Sequence, residues 1–225
     1  MRKIQCVFVF LLLSATSAYS QGAVSGQLGN LRDMYGAPVS TINYSNTKGS
    51  PFLLDEWAMG TVKLLRGDSF KDIALKYEIV NDMLIFKDPI SGQSLGFKDA
   101  VQEFTIIDNT DSPHRELLFR RGFGPNSNQF FQVLEEGGVQ LIKRNSKIVK
   151  ESREFNSAST TKAFYSVFDY YIIKGGEMIR IRKFKNDILA NLDKHDQLEA
   201  FIKRSNLGFK SEEDLIKVIV HYNSL

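Results

Sequence analysis

Between Trp57 and Phe184 the chain breaks into short runs of Val, Ile, Leu, Phe and Tyr, separated every few residues by Gly, Asn, Asp or Pro. No other feature limits the fold so strongly, because runs of this length and composition, bounded by turn formers, are what consecutive antiparallel strands require. Strands are predicted near 61–66, 69–80, 83–87, 101–107, 115–121, 129–136, 139–150, 163–174 and 177–184. The expected fold is mainly β, of the α+β kind: an antiparallel meander forming a strongly curved sheet, a barrel or a two-layer sandwich.

One hairpin is read residue by residue. A two-residue turn at Gly175-Gly176 sets Lys174 across from Glu177, Ile172 from Ile179, Tyr171 from Arg180, Tyr170 from Ile181 and Asp169 from Arg182. That register places Phe168, Tyr170, Ile172, Ile179 and Ile181 on an apolar face, and Asp169, Tyr171, Arg180 and Arg182 on a polar one. By the same reasoning a Gly67-Asp68 turn sets Lys63 against Asp72 and Val62 against Ile73. At Glu135–Gly138 two registers sort the side chains equally well, and the pairing stays open.

After Phe184 the hydrophobic period becomes helical. Asp187–Lys194 carries Ile188, Leu189 and Leu192 on one side, and Asp196–Arg204 carries Leu198, Phe201 and Ile202. A third helix is capped by Ser211, has Glu212, Glu213 and Asp214 in its positive first turn, and bears a stripe of Leu215, Ile216, Ile219 and Val220. Helices this short need a surface to dock on, either the sheet or one another. Residues 21–50 hold only Arg32, Asp33 and Lys48 as charges and read as an extended or partly ordered lead-in. The expected organisation is a leader at 1–20, the lead-in at 21–50, a β-rich domain at 51–184 and a helical tail at 185–225.

The first 20 residues have the layout of a secretory signal peptide: Arg2 and Lys3, an apolar run from Ile4 to Leu13, and Ala18-Tyr19-Ser20 before Gln21. That run is shorter than the roughly 20 residues a membrane-spanning helix needs. Export to the periplasm or medium is therefore expected, with no transmembrane segment in the mature chain. The one cysteine, Cys6, leaves with the leader, so neither a disulfide nor a lipidated cysteine is expected. Without Arg2 and Lys3, the 29 basic residues become 27 against 26 acidic ones. That near-neutral balance gives no reason to expect a nucleic-acid partner.

The ending Leu207-Gly208-Phe209-Lys210-Ser211-Glu212-Glu213-Asp214-Leu215-Ile216, followed by His221-Tyr222-Asn223-Ser224-Leu225, resembles a C-terminal segment of uncharacterised exported proteins of Bacteroidetes-type Gram-negative bacteria. Gly49-Ser50-Pro51-Phe52-Leu53, Trp57, Gly60-Thr61-Val62, Gly67, Leu75-Lys76-Tyr77 and Asn81-Asp82 are similar to the opening sheet of such proteins. The resemblance covers residues 50–90 and 185–225. It implies an envelope setting, most simply the periplasm, and no assigned activity.

Catalytic chemistry is hard to assemble from these residues. His114, His195 and His221 stand far apart in sequence, and no Gly-x-Ser-x-Gly elbow surrounds a serine. Asp193, His195 and Asp196 are metal-ligand types, but neighbours at a helix end point in different directions, and no Asp-x-Asp-x-Asp-Gly loop occurs. The carboxylate pairs Asp55-Glu56, Glu135-Glu136 and Glu212-Glu213 suggest acid–base work in glycoside hydrolysis, yet each has a simpler place before a strand, at a turn or at a helix N-terminus. Arg66-Gly67-Asp68 spells a cell-adhesion signal and also an ordinary tight turn, which is preferred. Neither cofactor nor metal is expected.

Two surface features remain. Lys143, Arg144, Lys147 and Lys150, joined by Arg120, Arg121, Arg180 and Arg182, make a positive face if the sheet gathers them. Such a face suits an anionic envelope lipid or an acidic envelope protein, although Lys and Arg also protect sheet edges from pairing. The run Phe164–Ile173 is apolar in both phases, as expected of a strand covered on both sides by core, or of one lining a lipid pocket in a concave sheet. The sequence therefore reads as a non-enzymatic binding or interaction module. A carrier or sensor of an apolar ligand is the alternative, and a hydrolase of envelope polymers is less favoured.

Overall fold

A computed structural model describes residues 36–39, 44–110, 114–126, 128–153 and 160–225; residues 1–20 and most of 21–50 lie outside them. The chain forms β1 Gly36–Pro38, β2 Thr47–Lys48, β3 Ala58–Leu64, β4 Ser69–Glu78, β5 Met83–Lys87, β6 Ser94–Phe97, β7 Val101–Asp108, β8 Arg115–Arg120, β9 Phe131–Glu135, β10 Val139–Arg153, β11 Thr160–Lys174 and β12 Glu177–Ile181. Three helices follow: α1 Lys185–Ala190, α2 His195–Arg204 and α3 Glu212–Ser224. The strands make one open sheet in the order β1-β6-β5-β4-β3-β7-β8-β9-β10-β11-β12, with β2 added in parallel to β11. The fold is mainly β, as its sequence predicts. No helix of the described residues is long and apolar enough to cross a membrane.

The sheet is strongly curled. Strands β4 and β8 are separated by β3 and β7, about 14 Å on a flat sheet. Yet the rings of Tyr77 on β4 and Phe119 on β8 lie 5.3 Å apart, and Phe104 stacks on Phe119 at 4.8 Å. These rings and Phe130 fill the concave side together with Val62, Leu64, Ile73, Leu75 and Phe86. Gly60 is required there, since a Cβ at that position would stand 2.0 Å from the Thr105 carbonyl oxygen. At the far end, α1–α3 pack against one face of β10–β12 through Leu141, Tyr170, Ile172, Ile181, Leu198, Leu215 and Ile219. The opposite face carries a smaller cluster of Phe123, Phe131 and Ile142, with Tyr171, Ile173 and Met178 against it.

The Gly175-Gly176 hairpin has the predicted register from Lys174–Glu177 to Tyr170–Ile181. Both glycines have positive φ, 58° and 86°, as a mirror-image two-residue turn demands. Three details are corrected. Strand β12 ends at Ile181, so Asp169 pairs with the Arg180 side chain, and Arg182 turns to Asp187 at 3.3 Å. The face holding Tyr171 is not simply polar, because it contributes to the Phe123 cluster. Phe168, placed on the buried face, is 53 % exposed.

The Gly67-Asp68 register is overturned. Val62 lies across from Phe70 and Lys63 from Ser69, with Gly60 across from Ile73 after a bulge. Phe70 and Ile73 are both buried although three residues apart, which an unbroken pleat does not allow. Asp72, at φ 56°, sits between them and absorbs the extra residue. The open turn at Glu135–Gly138 resolves with Leu141 across from Glu135 and Ile142 from Val133, again around a bulge.

Candidate interaction surface

The eight basic residues singled out by sequence are not gathered on one face. Alternation along β10 places Lys143 and Lys147 on one side and Arg144 and Lys150 on the other. Lys143 donates to Glu212 on α3 at 2.7 and 3.0 Å, and Glu212 also accepts from the Tyr170 hydroxyl at 2.9 Å. Burial and the adjacent Glu212 carboxylate hold the Tyr170 phenol well above its usual range. Arg120 bridges Glu103 and Glu136, Arg180 meets Asp169, and Arg182 meets Asp187. Lys150 stands over the Tyr165 ring at 5.2 Å. Most of this charge is therefore matched locally.

Arg121 belongs to a half-buried cluster at the turn between β4 and β5. Asp82, at φ 54°, accepts from the Tyr77 hydroxyl at 2.5 Å and from the Phe130 N–H, 3.3 Å from each carboxylate oxygen. Arg121 approaches Asp82 at 3.8 Å and lies over the Phe130 ring at 3.7 Å. Burial raises the Asp82 carboxyl above its ordinary value and lowers the Arg121 guanidinium. Clefts of about 650 and 380 Å³ flank Asp82, the smaller reaching Arg144. With its acceptor sites engaged by Tyr77, Phe130 and Arg121, this carboxylate ties β4–β5 to the chain entering β9.

Lys147 joins two distant parts of the sheet. The segment 51–53 is bonded to the end of β4, through the Leu53 N–H to the Tyr77 carbonyl at 2.8 Å and the Ile79 N–H to the Pro51 carbonyl at 3.0 Å. On its other side, the Lys147 ammonium donates to the Ser50 carbonyl at 2.8 Å and to the Phe52 carbonyl. Burial pulls the Lys147 pKa down, while the field of Asp55 opposes the shift.

The feature that stands out from the body is the β10–β11 hairpin. These strands pair along their whole length, from Val139–Lys174 to Arg153–Thr160. Strand β9 reaches only to Lys143, and β12 only to Tyr170. Residues 144–153 and 160–169 therefore continue as an arm. Its base is held to the body by Asn145, which donates to Gln132, and by Lys147 on the Ser50 and Phe52 carbonyls. Its flank is bordered by β2 at Lys162 and Ala163 and by Tyr44, whose ring meets Phe164 at 5.2 Å. On the arm Ile148, Val149, Tyr165 and Phe168 are 44, 44, 46 and 53 % exposed. Ile148 lies directly across from Tyr165, and Val149 on the opposite face lies across from Phe164. Of the run Phe164–Ile173, expected either to be covered by core on both sides or to line a lipid pocket, Tyr170–Ile173 alone pack into the core clusters.

The remaining sequence candidates are dispersed. His221 stacks on Phe201 at 4.0 Å, His195 opens α2, His114 precedes β8, and Asp193 pairs with Lys174 at 2.7 Å. Among the described residues no group of three or more His, Cys, Asp or Glu converges as a metal site. Comparison with family models, curated proteins and solved structures returns no match.

Proposed function

We propose that this chain is an exported, non-enzymatic binding module of a Bacteroidetes-type cell envelope, and that the β10–β11 arm is the surface with which it engages another envelope component. One observation carries the reading: Ile148, Val149, Tyr165 and Phe168 are left in water on a hairpin that projects beyond both neighbouring strands. Exposed apolar side chains of this size mark interaction surfaces; Ile148 and Tyr165 form one cross-strand pair, and Val149 and Phe168 lie on the opposite face of the same hairpin. The leader-like residues 1–20 supply the route to the envelope. A carrier of apolar ligands draws less support, because the rings of Tyr77, Phe104, Phe119 and Phe130 fill the concave side.

The test is a double substitution, Ile148→Asp with Tyr165→Asp, in the full-length protein expressed in its host. The expected result is export, a mature chain starting at Gln21, an unchanged melting curve, and loss of a specific crosslinked envelope partner that the wild type captures. Equal capture by the variant, or retention of the wild type in the cytoplasm, overturns the proposal.

A further inference from the structure

The segment that bridges β4 and β10 also builds a groove of about 510 Å³, separate from the arm's exposed girdle. Its apolar walls are Leu53, Leu54, Trp57 and Ile107, the last 38 % exposed. Asp55 and Glu56 line the same groove, are exposed, and make neither a hydrogen bond nor an ion pair among the described residues. Lys147 reaches the groove too, but its ammonium already serves the Ser50 and Phe52 carbonyls. By formal charge, two carboxylates against the Lys147 ammonium leave the residues that line the groove one net negative charge, with Asp55 already in the field of Lys147. Beside that charge stands an indole, the aromatic ring with the strongest attraction for a cation. The Lys76 ammonium, which does not line the groove, already lies 4.6 Å from the Phe52 ring and 5.7 Å from Trp57.

We propose that this groove binds an organic cation: an ammonium or guanidinium group carried on an apolar stem, the chemistry shared by a Lys or Arg side chain and a free alkylamine. The stem covers Leu53, Leu54 and Ile107, and the charged head lies between Trp57 and the carboxylates of Asp55 and Glu56. An anionic head on the same stem is repelled, and a neutral one leaves the carboxylates unmatched. The proposal is independent of the arm's role.

Trp57 is the only tryptophan of the chain, so its emission reports directly on the groove. The full-length mature protein is titrated with n-octylammonium, n-octanol and octanoate below their aggregation concentrations, with calorimetry as a second readout. The expected result is a saturable change with octylammonium at a concentration at least about tenfold below that needed with octanol or octanoate, weakened by salt. Asp55→Asn with Glu56→Gln is expected to remove that preference while leaving the melting curve unchanged. A blocked hexyl ester of lysine should compete with octylammonium, which separates a side-chain source from an alkylamine-only site. Equal binding of the three octyl probes, the same preference in the double variant, or no saturable change with octylammonium overturns the proposal.

Discussion

The Lys147 ammonium does work that a surface charge does not: it donates to two carbonyls of a segment whose other edge is already bonded to β4. Replacing it by methionine keeps the stem and leaves both carbonyls without that donor. Lys147→Met is expected to destabilise the protein by about 1 to 3 kcal/mol, the range for a group stripped of its partner. Urea melts at matched slope measure it, and an unchanged midpoint would mean water replaces the lysine at no loss. Asp82 supplies a pH-dependent counterpart. Burial raises its folded pKa above the unfolded value, so the native state binds the proton more readily. The ionised form therefore weakens the fold at neutral pH, and this penalty fades as pH falls through the raised value toward 3.8. Asp82→Asn keeps an oxygen acceptor for Phe130 and lacks the charge. Its stability relative to wild type should accordingly be highest at pH 7 and decline by pH 4 in paired melts; a difference independent of pH would contradict the burial argument.

At the scale of elements, the clearest sequence signals were those closed over a few residues. The two glycines at 175–176 and the alternation around them specify both a turn and its register. Ser211 followed by three acids specifies a helix start, and its side chain does accept from the Asp214 N–H at 3.3 Å. Ser211→Ala should cost about 0.5 to 2 kcal/mol in a denaturant melt. The other end of α3 had no local signal. There Asn223 accepts from the Val139 N–H and donates to the Val139 carbonyl, both at 2.9 Å, across 84 positions of sequence. Asn223→Ala leaves both backbone groups unmatched and should be at least as damaging as the cap change; a smaller effect would mean α3 is held by its apolar face alone. Strands β1, β2 and β6 escaped notice because two to four residues such as Thr47-Lys48 or Gly36-Ala37-Pro38 carry no period. The β3–β4 register departs from expectation at the turn itself: the Leu64 N–H bonds the Asp68 carbonyl at 2.8 Å, so Leu65-Arg66-Gly67 form the loop. The first pairs therefore lie three positions from those a Gly67-Asp68 turn would set, before the bulge at Asp72 shifts the pairing once more.

Over the whole molecule, burial depends on where neighbouring strands stop, and this decides how much of the candidate surface sequence alone can reveal. The aromatic run of β11 looks uniform, yet α1–α3 and the Phe123 cluster cover it only from Tyr170 onward. Along β10 the cations pass from Lys143 on Glu212 and Lys147 on the Ser50 and Phe52 carbonyls, both tied into the body, to Lys150, which meets the Tyr165 ring further out on the arm. The boundary at Tyr170 also yields the sharpest contrast in mutational outcome. Phe168 and Ile181 belong to one hairpin and to the same face of it, but Ile181 is 3 % exposed among helix side chains while Phe168 is 53 % exposed beyond them. Ile181→Asp places a carboxylate in the apolar interior without a cation built to receive it, a loss of about 3 kcal/mol or more. Phe168→Asp puts the same group in water beside Lys143, whose ammonium lies 5.5 Å from the Phe168 ring, and should shift the midpoint by no more than about 0.5 kcal/mol. Melts of the two variants, with tyrosine near-ultraviolet circular dichroism to report packing, read both effects. If Phe168→Asp proved as destructive as Ile181→Asp, the arm would be part of the core, and the apolar girdle would lose its standing as a surface kept for a partner.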